Sequence, residues 1–172
     1  MRRLAPFLFL LAAGCAATPE APGASDALGV SVARADLDPV LGVTALDGGA
    51  LDLSADLEAG RSVALVFWQT WCASCKREAP ELVAAARALG DDVRFVGVIP
   101  GVVDDEDVEK VRDTAEEWEL PYAQVLDTDL ALTRAFGVQR TPTIVVLGRG
   151  PRVLWRGTHA PDDWRAVLGT RP

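Results

Sequence analysis

The sequence predicts a single α/β domain with a central mixed β-sheet flanked by helices, and three observations support this expectation. Two continuous apolar runs, 62–68 and 93–99, have the composition of strands that are buried on both faces. The segment between them has the spacing of an amphipathic helix. Two later apolar runs, 143–147 and 152–156, are joined by a Gly-containing turn. Strands that alternate with helices and end in a hairpin are typical of an α/β sandwich with a mixed sheet.

The first predicted element is an N-terminal β-hairpin. Residues 40–46 and 50–53 flank Asp47-Gly48-Gly49. Because Asp-Gly readily adopts the positive φ angles of a tight turn, these two segments are expected to pair. A helix is expected over 75–89, between the two buried strands. Its apolar side is formed by Ala79, Leu82, Val83, Ala86 and Leu89.

In the second half of the chain, the sequence pattern predicts three more helices and a short strand. A helix over 104–120 begins at Asp104, a suitable N-cap, and the acidic residues that follow suit the positive end of the helix dipole. A strand over 122–126, a small helix around 130–136 and a closing helix over 162–168 follow. The closing helix has a proline at its first turn, where the missing N–H costs nothing.

The N-terminus has the pattern of a targeting segment. Two arginines precede an apolar run at 4–11 that is too short to cross about 30 Å of hydrocarbon. The stretch Ala12-Ala13-Gly14-Cys15 resembles a bacterial lipobox, which implies cleavage before Cys15 and lipidation of that cysteine. Ordinary signal cleavage nearby, for example after Ala17, is the alternative and would release a soluble periplasmic protein. We therefore expect a signal peptide at 1–15, a flexible Ala/Pro/Gly tether at 16–34 and a folded domain at 35–172.

Charge and composition exclude several classes of function. The formal net charge of −8 at pH 7 argues against nucleic acid as a partner, because phosphates require a basic footprint. The chain has three cysteines and one histidine, His159. A structural zinc ion needs about four ligands, which this set does not supply, so we expect no metal site. His159 is expected to have a structural role at the surface.

The stretch that carries chemistry is the Cys72-Ala73-Ser74-Cys75 motif. Two thiols at this spacing at the start of a helix can close a small disulfide ring. The N–H groups and the dipole at the helix N-terminus favour the thiolate of Cys72, and only a thiolate attacks a disulfide. Cys75, one turn further in, is expected to be more buried and to attack second. The expected redox group is this Cys72–Cys75 disulfide, with no other cofactor.

The wider motif resembles the thioredoxin superfamily, and more narrowly its membrane-tethered TlpA/ResA (redoxin) type. The resemblance rests on Phe67-Trp68-x-x-Trp71-Cys72-x-x-Cys75-Lys76, on the following Glu78 and Pro80, and on Thr141-Pro142-Thr143. It covers roughly 40–168. It implies a thioredoxin-like fold with an N-terminal β-hairpin and a helical insert after the second core strand, which 104–120 would supply.

The resemblance also implies roles for individual residues. A cis peptide bond before Pro142 would place Thr141 beside the cysteines to pair with an extended substrate, although the residues alone favour a trans bond. Trp71 would shield the cysteine pair and offer an apolar docking surface. Thioredoxin has a buried Asp where this chain has Val66, so Glu78 is expected to accept the proton of Cys75 instead. The alternative is a surface glutamate paired with neighbours such as Lys76 or Arg77.

The function implied is reduction of protein disulfides on the periplasmic side of a bacterial membrane. The resemblance suggests a membrane thiol donor, clients such as the heme-site cysteines of apocytochrome c, and a monomer anchored through Cys15. Ala16, rather than Asp, after that cysteine favours the outer membrane.

Two alternative functions remain. A thiol peroxidase would need a Pro where Trp68 stands, and a thioredoxin-fold copper module spaces its thiols by three residues rather than by Ala73-Ser74. The other four tryptophans are expected to pack in the interior; they are Trp68, Trp118, Trp155 and Trp164.

Overall fold

A computed structural model describes residues 41–101, 105–150 and 152–169 of the protein. The predicted signal peptide 1–15 with Cys15, the tether 16–34 and the beginning of the expected domain lie outside the described residues. So does the predicted N-cap Asp104. Within the described ranges, no helix has both the length and the apolar character needed to cross a membrane.

The described elements alternate between strands and helices, as the sequence predicts. In chain order they are β1 (Gly42–Thr44), β2 (Ala50–Asp52), α1 (Leu53–Glu58), β3 (Ser62–Phe67), α2 (Ala73–Leu89), β4 (Val93–Pro100), α3 (Asp105–Glu117), β5 (Ala123–Asp127), α4 (Ala131–Ala135), β6 (Thr143–Gly148), β7 (Arg152–Gly157) and α5 (Trp164–Leu168).

The main sheet is mixed, which confirms the predicted fold class. Its five strands lie in the order β5-β4-β3-β6-β7. Strand β3 runs parallel to β4, and β4 runs parallel to β5, whereas β6 is antiparallel to both β3 and β7. The helical insert α3 follows β4, the second strand of this sheet. The central strand β3 is paired on both edges, and its side chains are buried on both faces of the sheet, which explains its continuous apolar composition.

The N-terminal hairpin is also present. Strands β1 and β2 pair antiparallel around a turn in which Gly48 has a φ of 87°. The Asp47 carboxylate accepts the N–H of Gly49 at 3.0 Å, which closes the turn. The Leu46 N–H donates to the Gln124 carbonyl at 2.7 Å, so the hairpin is attached to β5 of the main sheet.

Helix α1 was not predicted, and the expectation that the strand runs to Leu53 was wrong. The Asp52 carboxylate accepts the Ala55 N–H at 2.9 Å and so caps a helix that begins at Leu53. Leu53 and Leu57 are both buried, one turn apart on the face that packs on the sheet. A six-residue helix carries too few apolar positions to show a clear period, which explains the error.

Three predicted helix ends also differ from the structure; a side-chain cap accounts for two of them and a residue with positive φ for the third. Helix α2 begins at Ala73 rather than at 75 because Cys72 is its N-cap. Helix α3 ends at Glu117 rather than at 120, and Glu119 follows with a φ of 54°, outside the helical region. Helix α5 begins at Trp164 rather than at 162 because the Asp163 carboxylate caps it through the Ala166 N–H at 3.0 Å.

The sheet separates two apolar layers, and β3 contributes to both. Val63, Leu65 and Phe67 point to the layer that contains α1 and α4. The intervening residues Ala64 and Val66, and Trp68 just after the strand, point to the layer that contains α2, α3 and α5. The cysteine pair lies in this second layer. Trp118, Trp155 and Trp164 pack against the same layer, as predicted.

A hydrogen bond across the sheet fixes the tryptophan that precedes the cysteine motif. The indole N–H of Trp68 donates to Oε1 of Gln124 at 2.9 Å, and both side chains are buried. Gly97 lies on β4 opposite Gln124, and a Cβ at Gly97 would come within 1.9 Å of that Oε1. The Trp68 ring also packs on Trp118, with ring centroids 5.1 Å apart. The absence of a side chain at Gly97 therefore leaves the space that this bond occupies.

Gly97→Ala is expected to destabilise the protein, because the added methyl group displaces the Gln124 amide and breaks the buried bond to Trp68. The expected loss in the free energy of unfolding is about 1–3 kcal/mol. Gly42→Ala is the matched control, since a Cβ added to that glycine of the outer hairpin would meet nothing within 4 Å. Urea denaturation of both oxidised variants provides the measurement. Equal midpoints for the two variants would contradict this account of Gly97.

Candidate active site

The Cys72-Ala73-Ser74-Cys75 motif lies where the central strand β3 is followed by helix α2. The two cysteines form a disulfide, with their Cα atoms 5.2 Å apart. Cys72 is the N-cap of α2, and its Sγ accepts the backbone N–H of Cys75 at 3.1 Å. The Ser74 hydroxyl lies 3.4 Å from the same sulfur. The sulfur of Cys72 thus occupies the position at which a helix N-terminus favours negative charge.

The exposure of the residues around the disulfide differs sharply. In the disulfide state Cys72 is 6% exposed and Cys75 is 3% exposed. Cys75 is therefore the more buried of the two, as expected, but the difference in exposure is small. Trp71, immediately before them, is 78% exposed, and it is the large hydrophobic side chain that stands out among the described residues. An apolar side chain in water beside a covered disulfide is an arrangement that favours contact with another molecule.

Neither basic side chain that follows the motif is directed at the disulfide. Lys76 forms an exposed ion pair with Glu117 at 2.6 Å, and Arg77 donates to the Ala73 carbonyl at 3.2 Å. The positive group that the structure places against the Cys72 sulfur is the Cys75 backbone N–H at the start of α2.

The interior side of Cys75 is apolar. It faces a narrow internal space whose other lining residues are Val66, Trp68, Ala79, Leu82, Trp118, Leu120, Tyr122 and Pro142. None of these residues is a carboxylate. Burial raises the pKa of the Tyr122 phenol, so this group stays protonated at neutral pH and does not act as a base. The lining of this space therefore supplies no base for the Cys75 thiol.

The Thr141–Pro142 peptide bond is cis, as the family resemblance implied. Pro142 is buried and shares the internal space with Cys75, which brings this segment to the cysteine pair. Thr141 is partly exposed at the start of β6. The Thr143 hydroxyl donates to the Arg140 carbonyl at 2.7 Å and braces the same turn. Roles for Thr141 and Pro142 in substrate binding stay predictions.

Glu78 has partners that the sequence did not reveal. Its Oε2 lies 3.0 Å from Nδ1 of His159, and its Oε1 accepts the backbone N–H of Ala160 at 2.5 Å. The alternative, a surface glutamate paired with Lys76 or Arg77, does not match the structure, because those two residues bind Glu117 and the Ala73 carbonyl instead. His159 is at the surface, as predicted. Its contact with Glu78 joins positions 81 residues apart, and no local pattern could have indicated it.

The described residues bring together no group of three or more His, Cys, Asp or Glu side chains that could hold a metal ion. His159 therefore lies with Glu78 and not with both cysteines.

The comparisons with known proteins agree with this geometry. The family model described as Redoxin matches residues 23–167. The thiol-disulfide oxidoreductase ResA of Geobacillus thermodenitrificans is 30% identical over 114 residues, which cover 63% of this chain and 62% of that relative. ResA of Bacillus subtilis is 30% identical over 109 residues, covering 63% of this chain and 58% of that relative. The chain thus spans about three-fifths of the length of these curated relatives.

A solved structure extends the likeness to the whole thioredoxin-like domain. The structure of MTB DsbF in its mixed oxidized and reduced forms superposes with a TM-score of 0.64 at 25% identity, covering 80% of this chain and 97% of that one. The family match spans most of the sequence, and the sheet and cysteine motif fit it. The protein therefore belongs to the Redoxin family, as a TlpA/ResA-like member of the thioredoxin superfamily.

Proposed function

We propose that the protein is a thiol–disulfide oxidoreductase that reduces disulfides in client proteins. The observation that carries the proposal is the Cys72–Cys75 disulfide at the start of α2, with the Cys72 sulfur held against the Cys75 N–H. In the reduced protein the same N–H groups stabilise a Cys72 thiolate, which is the nucleophile in disulfide exchange.

The reaction has two exchange steps. The Cys72 thiolate attacks a client disulfide, forms a mixed disulfide and releases one client thiolate. Cys75 then loses its proton and attacks Cys72, which restores the Cys72–Cys75 disulfide and releases the second client thiolate. The client gains two electrons, and the cysteine pair loses two. A thiol donor must then reduce the pair before the next cycle.

Glu78 is the proton acceptor for Cys75 in this proposal. It lies one helical turn beyond Cys75 on α2, so the two side chains lie on the same side of the helix. Its side chain is only 13% exposed. The apolar lining on the other side of Cys75, with Val66 in place of a carboxylate, offers no competing base. This combination supports Glu78, and not an interior aspartate, in the second step.

The client is proposed to dock on Trp71 and on the backbone of Thr141. Trp71 supplies exposed apolar surface, and Pro142, which follows Thr141, lines the same internal space as Cys75. Residue 141 precedes β6, so its backbone is available to an extended client segment.

We further propose that the protein works as a monomer on the periplasmic side of a bacterial membrane, anchored by lipid on Cys15. The support is the sequence pattern of 1–15 and the tether composition of 16–34. Electrons would come from a membrane thiol donor, and apocytochrome c cysteines are the client type suggested by the family resemblance. The outer membrane is favoured by Ala16. Radiolabelled palmitate incorporation into the wild type but not into Cys15→Ser tests the anchor.

Cys75→Ser is expected to accumulate the mixed disulfide with a client, because the thiol that releases the client is absent. Cys72→Ser is the matched control and should trap nothing, since this variant lacks the sulfur that the helix N-terminus holds as a thiolate. Non-reducing electrophoresis followed by mass spectrometry measures the trapped species and identifies the client. Trapping by Cys72→Ser but not by Cys75→Ser would reverse the assigned roles.

Trp71→Ala is expected to raise the KM for a disulfide-containing client protein roughly tenfold, because an apolar docking side chain is lost. The value of kcat should change little, since the disulfide itself is untouched. Thr70→Ala is a control in the same loop. Steady-state reduction of the client identified by trapping provides the measurement. An unchanged KM would remove Trp71 from the docking surface.

Glu78→Gln is expected to slow the second exchange step by about 10²-fold, because the amide cannot accept the Cys75 proton. Reaction of the reduced protein with the aromatic disulfide DTNB separates the two steps, as each exchange releases one coloured thiolate. The first phase should be unaffected. Glu81→Gln, one turn further along the same helix and exposed, is the matched control. Second phases of equal rate in the two variants would remove Glu78 from proton transfer.

A further inference from the structure

We propose that His159 is a positioning residue that connects Glu78 to solvent and carries the proton of Cys75 out of the site. The inference rests on the proposed function, in which Glu78 accepts that proton, and it adds the next step. The observation behind it is the 3.0 Å contact between His159 Nδ1 and Glu78 Oε2. Among the described residues, the side chain hydrogen-bonded to Glu78 is this imidazole, whose two ring nitrogens can each carry a proton.

The burial of Cys75 creates the need for such a connection. The residue is 3% exposed and is surrounded on its interior side by apolar groups and a protonated phenol. Bulk water therefore does not reach its sulfur directly. Glu78 is itself largely covered, so a proton that it accepts still has to reach solvent before the carboxylate is ready for another cycle.

His159 has the geometry that this last transfer needs. Its side chain is 80% exposed, whereas that of Glu78 is 13% exposed, so the hydrogen bond between them spans the boundary between protein and water. The Ala160 N–H holds the other carboxylate oxygen at 2.5 Å and keeps Oε2 directed at the imidazole. The two partners of Glu78 are consecutive in sequence, so the loop between β7 and α5 presents both together.

Protons and bonds balance in both half-reactions, the release of the client and the later reduction of the cysteine pair. When Cys75 attacks Cys72, the thiol proton of Cys75 passes to Glu78. The imidazole of His159, which starts as the Nε2–H tautomer, takes this proton at Nδ1 as its Nε2 proton leaves to water, and it ends as the Nδ1–H tautomer that donates to Glu78 Oε2 in the oxidised protein. The Cys75–Cys72 bond forms as the bond from Cys72 to the client breaks, and the client sulfur leaves as a thiolate. When a thiol donor later reduces the pair, the same path returns a proton to Cys75. No oxidant or reductant beyond the client and the donor is involved.

Other charged groups face the same region, and none of them has a hydrogen bond to the pair among the described residues. An open groove of about 820 Å³ runs beside Glu78 and His159, between α2 and the segment that leads into α5. Its charged lining residues are Glu81, Asp162, Asp163 and Arg165. The Asp163 carboxylate is engaged as the cap of α5. Both Glu78 and His159 line this groove, but the imidazole is 80% exposed and the carboxylate side chain only 13% exposed, so the imidazole is the better hydrated of the two.

The test follows the second phase of the DTNB reaction in His159→Ala, with and without added imidazole. We expect this phase to slow about tenfold, which is below the range for a positioned acid or base because water still reaches the groove. Free imidazole should restore the rate in His159→Ala and leave the wild type and Glu78→Gln unchanged. His159→Asn, which can hydrogen bond but cannot take up a proton at neutral pH, should be as slow as His159→Ala. Thr158→Ala in the same loop is the control.

The outcomes separate this inference from the proposed function. A missing first phase in the wild type contradicts disulfide exchange itself. A second phase that depends on Glu78 but is unchanged in His159→Ala overturns the role of His159 alone. Full activity of His159→Asn, or a slow His159→Ala that imidazole does not rescue, also overturns it, because each shows that the histidine only braces the loop. Thermal unfolding of each variant confirms that the fold is intact.

Discussion

The arrangement of the site depends on one hydrogen bond at the start of α2, from the Cys75 N–H to the Cys72 sulfur. That bond makes Cys72 the cap of a 17-residue helix, so its sulfur receives the favourable field of the helix N-terminus. The position of the cap is set by β3, the central strand of the sheet, which is paired on both edges. Trp68 follows β3 directly, and its indole N–H donates to Gln124 in the space that Gly97 leaves open. The sulfur is thus held by the most constrained part of the fold.

The same burial that fixes the disulfide makes proton transfer difficult. A thiol among apolar side chains ionises only if a base takes its proton, and the space behind Cys75 contains none. The chain places its carboxylate on the other side, one turn along α2, and links it to the loop after β7. In the proposed mechanism, Cys72 at the start of α2 is the nucleophile, and Glu78 in the next turn passes the proton to the more exposed His159.

The sequence predicted the strands and the redox pair because their signals are local. Continuous apolar runs identified β3 and β4, and the two-residue spacing between Cys72 and Cys75 identified the disulfide. Helix α1 was missed because six residues show too little periodicity. The pairing of Glu78 with His159 depends on how distant segments pack, which no local pattern contains. Gly97 did carry a usable signal, since a glycine inside a buried strand often marks a close approach.

The terminal hairpin explains how two distant features come to surround α2. Strands β6 and β7 are antiparallel, and Ile144 pairs with Gly157, so the start of one strand lies beside the end of the other. The residue before β6 is Pro142, which shares the internal space with Cys75. Two residues after β7 comes His159, which bonds to Glu78. One pairing register thus brings both the Thr141-Pro142 segment and His159 to the helix that carries the cysteines. A shift of two residues in this register would displace both together, so the proposed docking surface and the proposed proton path depend on the same strand pairing.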